Sequence, residues 1–194
     1  MQLMNRIQKL FYYFLNTDYM VTPVRKNALL IGLLLLVIAG IRIYYNIYDY
    51  MDIVYGDEAV YMKIGLNIAD DFNRDWGPLY CLWYKFWSLF FRDTISLYYL
   101  NFALTAIFTT LFIYAALLCL DIHPLVAFYF AICFISSKSV VPVWPRISLF
   151  TISILMAGII FLSRMTELYM RLLVFSTFLL LACYARPELY ASFV

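Results

Sequence analysis

The chain has 194 residues, of which 65% are hydrophobic, 20% aromatic and only 13% charged. Soluble domains are about 45–50% apolar and about 25% charged, so there is too little polar surface here to cover a water-soluble globule; a mean hydropathy of +0.84 agrees. The apolar composition, the six Gly and the four Cys exclude disordered, collagen-like and disulfide-scaffold classes, and a net charge of +2 gives no basis for a nucleic-acid partner. What remains is an all-α integral membrane protein.

Residues 1–27 read as a cytoplasmic N-terminal segment. Arg6, Lys9, Arg25 and Lys26 precede the first apolar run, and positive flanks stay inside. The segment is too long and too aromatic for a signal-peptide n-region and no clear A-x-A site follows, so the first span is read as an uncleaved anchor. A crossing helix needs ~20 apolar residues at 1.5 Å rise. Five stretches approach this. Span 1 covers 28 to about 48, with Arg42 snorkelling near its end. Span 2, 95–120, carries no charge, its polar content being Asn101, Thr105, Thr109 and Thr110. Span 3, 125–135, is short unless it extends through 136–143; span 4 covers 147–163. Span 5, 172–185, lies between Arg171 and Arg186, which must snorkel for it to reach across. The expected fold is about five transmembrane helices.

The loop 49–94, on the outer side in this orientation, holds eight of the twelve acidic residues: Asp49, Asp52, Asp57, Glu58, Asp70, Asp71, Asp75 and Asp93. Loops of this length carry function or their own structure. Gly56-Asp57 can end the preceding chain and cap a helix. From Glu58, the apolar Val60, Tyr61, Ile64 and Ile68 share one face while Lys63, Asn67, Asp70 and Asp71 point elsewhere, which predicts an amphipathic helix lying on the membrane. After a turn-rich Asn73–Pro78 stretch, PLYCLWYKFWSLFF, with Lys85 in its middle, is too short to span and reads as a second interfacial or re-entrant helix. Trp76, Trp83, Trp87 and Trp144 all fall on this outer side, where indoles favour the headgroup layer. The Cys spacings suggest neither a disulfide nor a metal site, and the lone His123, before Pro124, reads as structural.

Span 1 followed by YGDEAVYMKIGLNI, then DWGPLYCLWYKFWSLFF, then the long span 2, resembles the start of the GT-C glycosyltransferases, multi-span enzymes such as protein O-mannosyltransferases and the lipid A aminoarabinose transferase. The resemblance covers about residues 28–190 and implies that 28–194, outer loop included, is the N-terminal portion of such a transmembrane domain, since family members are usually more than twice as long. It implies a sugar transferase of the bacterial plasma membrane. The donor is a polyprenyl-phosphate-linked sugar, and the acceptor is a glycan, lipid or protein on the outer or luminal face; a divalent metal is left open. In the family an acidic pair after the first span, followed by a Tyr, opens an interfacial helix; here these are Asp57, Glu58 and Tyr61. Gly77-Pro78-Leu79-Tyr80 matches the proline-led segment, and Trp144-Pro145-Arg146 and Arg186-Pro187-Glu188-Leu189 fit outer loops more loosely. Several members have a lysine where this chain has Gly77.

Sugar transfer from a lipid phosphate needs a base for the acceptor's proton, cations for the departing phosphate, and a site that a lipid-borne donor can reach. Asp57 is the candidate base, with Glu58 as its acidic partner. Lys85, Arg74, Arg92, Arg146 and Arg186 are candidate phosphate ligands, and Tyr61 is a candidate sugar contact. Each has a plainer reading. Asp57 can be an N-cap, Glu58 a solvated first-turn acid, the cations headgroup contacts, and Tyr61 a belt residue. Two other functions fit the composition: a non-catalytic accessory or scaffold subunit, and a transporter, the latter disfavoured by nearly charge-free spans.

Overall fold

The computed structural model describes residues 23–45, 47–49, 56–68, 77–137 and 147–189. Seven helices follow in order: α1 (Pro23–Tyr44), α2 (Asp57–Leu66), α3 (Pro78–Ser88), α4 (Thr94–Cys119), α5 (Pro124–Ile135), α6 (Ile147–Leu162) and α7 (Leu168–Ala185), with a 3-10 turn at Ile47–Asp49. Among the described residues there is no strand. Among the described residues three helices are long and apolar enough to cross a membrane: α1 over Asn27–Tyr44, α4 and α7. At 12 and 16 residues, α5 and α6 rise about 18 and 24 Å, short of the ~30 Å hydrocarbon core. The expected extension of span 3 falls mostly on 138–146, outside the described residues. The first span ends earlier than expected, at Tyr44. The fifth begins earlier, at Leu168, so Arg171 lies within the helix, where its Nε donates to the Met165 carbonyl at 2.7 Å.

α4 is the central helix, flanked by α1 and α5 on one side and α6 on the other, with α7 outside α6. Its sequence explains the placement. Asn101, Thr105 and Thr109 recur every fourth residue and so share one face; all are buried. Thr105 and Thr109 return their hydroxyls to the carbonyls four residues back, at 2.6 and 2.7 Å, so this polar stripe can face protein without unmet bonds. Thr109 also reaches Leu149 O at 2.9 Å and Ser153 Oγ at 2.7 Å, a polar tie to α6 of the kind that joins helices in lipid. The Tyr114 hydroxyl donates to Ala28 O at 2.8 Å, bringing the start of α1 to the end of α4, so the two run antiparallel.

The end of the bundle that holds the start of α4 is covered by α2 and α3, packed on each other. Local signals set their limits. Pro78 opens α3; Asp93 caps α4, its side chain accepting from Ser96 N at 2.7 Å; His123 caps α5 by accepting from Leu125 N at 3.3 Å. Gly77 has a left-handed φ of 50°, and a Cβ there would stand 2.2 Å from the Ala185 carbonyl oxygen. The start of α3 is thus seated on the end of α7, and no lysine fits at 77 without moving one of them.

Candidate functional site

α2 presents two carboxyls in opposite settings. Its N-cap is Gly56, which makes no side-chain cap bond; Asp57 is the first helical residue and is exposed. The N-cap reading of Asp57 therefore does not hold. Glu58, the next residue, is 2% exposed, and the solvated reading fails with it. Glu58 lies on the stripe 58, 61, 62, 65, and every one of these residues is buried. The expected apolar face is rotated accordingly: Tyr61 and Ile64 are buried as expected, Met62 and Gly65 join them, and Val60 and Ile68 sit at its margin. Gly65 matters because its hypothetical Cβ would be 2.6 Å from Cys81 O, a backbone approach that lets α2 and α3 close up around the acid.

The Glu58 carboxyl is held through one oxygen. Oε1 accepts from the Tyr80 hydroxyl at 2.6 Å, from the Tyr84 hydroxyl, and from Asn101 Nδ2 at 3.3 Å. Asn101 Nδ2 also donates to Tyr80 Oη at 2.8 Å, while Asn101 Oδ1 accepts from Trp83 Nε1 at 2.6 Å and Thr105 Oγ1 at 3.2 Å. The phenol rings interlock edge-on, with Tyr61–Tyr80 and Tyr80–Tyr84 centroids 5.3 Å apart. Burial dominates the electrostatics. It pushes the Glu58 carboxyl up to about 7 against the opposing pull of three donors, and the neighbouring Asp57 contributes least. The perturbation thus comes from desolvation and hardly from like-charge repulsion. Burial and the adjacent acid drive the Tyr80 and Tyr84 phenols well above their usual range, so both act as donors.

The remaining candidates separate. Tyr61 is buried and its phenol is pushed up to about 12, first by burial and then by Glu188, Glu58 and Asp57; the end of α7 therefore comes near α2. There Arg186 donates from Nη1 to Ser148 Oγ at 2.7 Å and lies 3.5 Å from Glu188, half exposed. Lys85 is occupied in structure, its Nζ donating to Leu66 O at 3.2 Å. Arg92 is exposed in the turn before α4 and makes no ion pair among the described residues. Arg74 and Arg146 lie outside the described residues, as do Trp76 and Trp144. Asp57, Glu58, Tyr61 and Arg186 are brought to one region; Lys85 and Arg92 share that end of the bundle without joining the network.

Beneath this region a cavity of about 460 Å³ opens between α3, α4, α6 and α7, walled by Trp83, Trp87, Phe108, Phe150 and Phe178. Trp83 belongs to both places, donating to Asn101 and lining the cavity. Sequence reasoning missed Tyr80, Tyr84 and Asn101 as partners of Glu58, and Trp83 as the partner of Asn101. The one available signal was Asn101, the sole amide in a charge-free span, since a polar group there must find a partner. Among the described residues no three His, Cys, Asp or Glu gather as a metal site. No protein-family model, curated protein or solved structure matches the chain.

Proposed function

We propose that this chain is a membrane glycosyltransferase, or a portion of one, that moves a sugar from a polyprenyl-phosphate carrier to an acceptor at the outer face of a bacterial plasma membrane. In this reading α5 and α6 complete five crossings and the N-terminus is cytoplasmic. The observation that carries it is the division within one turn of α2. Asp57 stands open at a boundary helix while Glu58 anchors that same turn in a rigid phenol–amide network. A base for an acceptor hydroxyl or amine must be accessible and fixed at once, and Asp57 meets both needs. Arg186, half exposed at the same end and 3.5 Å from Glu188, is the cation for the departing phosphate in this reading, exchanging that exposed carboxylate for phosphate oxygens that arginine grips bidentately. The aromatic cavity beneath, within the ~300–1,000 Å³ range of small-molecule sites, is open to the hydrocarbon tail of a lipid-linked donor.

The test is Asp57→Asn in the full chain, reconstituted with a polyprenyl-phosphate sugar. Loss of a general base costs about 10²–10⁴-fold, so transfer falls by at least ~100-fold while membrane insertion and unfolding temperature stay at wild-type values. Wild-type transfer by the variant removes Asp57 from the mechanism.

A further inference from the structure

α2 is a 10-residue helix, below the ~12–15 residues at which an isolated helix holds in water, and its Gly56 N-cap adds no side-chain bond. Tertiary contacts must therefore hold it, and they fall at two places. The C-terminal half is fixed by the Gly65–Cys81 backbone approach and by Lys85 Nζ on Leu66 O. The N-terminal turn is fixed by Glu58, whose Oε1 collects donors from α3 and α4. Those donors are themselves immobile: Tyr80 and Tyr84 lie one turn apart on α3 and are fully buried, and Asn101 is pinned by Trp83 and by Thr105.

Resting on the sugar-transfer reading above, we propose that Glu58 is a positioning residue: gripped by Tyr80, Tyr84 and Asn101, it locks the first turn of α2 onto α3 and α4 and so sets where Asp57 stands, without touching substrate itself. Its burial keeps it from the acceptor, and its one engaged oxygen needs only to accept. An amide oxygen meets that need as well as a carboxyl oxygen does. The groups around it agree. Tyr80, Tyr84 and Cys81 face it from α3, Asp57 and Tyr61 from α2, and Asn101 from α4; Glu188, beyond α7, acts on Tyr61. Among the described residues these groups are acids, phenols, a thiol and an amide, and the three that bond Glu58 do so as donors.

The experiment compares Glu58→Gln, Glu58→Leu and Asp57→Asn in the full chain, reading kcat, KM and amide hydrogen exchange over α2. Glu58→Gln keeps kcat within about threefold of wild type. Glu58→Leu lowers kcat by about 30-fold or more with KM within about twofold, as misplacement of a catalytic group does, and speeds α2 exchange at least ~10-fold. Should Glu58→Leu fail to fold, Tyr84→Phe, which deletes one donor and keeps the ring, shifts kcat and exchange the same way by a smaller factor. A Glu58→Gln loss equal to that of Asp57→Asn overturns the proposal, because Glu58 would then carry the proton. Wild-type kcat and exchange in Glu58→Leu overturn it too, because nothing would need positioning. If the wild-type chain transfers no sugar, the functional reading fails by itself, and the exchange data alone decide whether Glu58 holds the turn.

Discussion

α4 and α7 are both long and apolar enough to cross a membrane, yet α4 buries 44% of its most apolar stretch inside the protein and α7 only 17%. Both meet the requirement for crossing, so being long and apolar does not by itself decide which is packed inside the protein. α4 has a stripe of small and polar residues, Asn101, Thr105, Ala106 and Thr109, on which other helices close. α7 presents Leu168, Tyr169, Leu172, Leu173 and Phe175 outward and packs mainly through Ala182, Cys183 and Ala185. In lipid, leucine gains nothing from a protein neighbour that it lacks beside an acyl chain, so small residues and hydrogen bonds choose the interface. The comparison teaches that the polar pattern of a span, rather than its hydrophobicity, selects the centre of this bundle and the helix that receives Glu58.

The largest expected effect breaks the central end of that comparison. Glu58→Ala leaves Tyr80, Tyr84 and the Asn101 amide without their shared acceptor, and stranding buried donors costs on the order of 3–5 kcal/mol; reversible unfolding in mixed micelles measures it. pH comes next. The folded state holds the Glu58 proton more tightly than the unfolded chain, with the carboxyl at about 7 against 4.5. This contribution is therefore fully present below about pH 4.5 and is lost as pH rises through about 7, a fall of about 3 kcal/mol. Unfolding temperature measured between pH 5 and 8 should decline in wild type, and this component of the decline should vanish in Glu58→Gln. The smallest effect sharpens the contrast between the two spans. Thr109→Val on α4 removes the bonds to Leu149 and Ser153 and costs about 1 kcal/mol. Thr177→Val on α7, whose hydroxyl returns only to Leu173 O on an exposed face, stays within about 0.5 kcal/mol. Equal costs at the two positions would show that this face of α7 is packed against protein as the Thr109 face of α4 is.

Local chemistry by itself determined much of this protein. Composition called for long apolar helices; Pro78 marked a helix start that the structure keeps; and the helical periodicity after Gly56 announced a short helix. Two matters belonged to tertiary structure alone. One is the burial of Glu58, whose partners lie 22, 26 and 43 residues away along the chain. The other is the engagement of Lys85 by α2 and of Arg186 by Ser148 and Glu188, where the sequence showed only free cations. Periodicity is a property of one helix and is written in its own residues. Which face meets which neighbour is a property of the assembled bundle, and desolvation, the force that perturbs Glu58, exists only once those faces have closed.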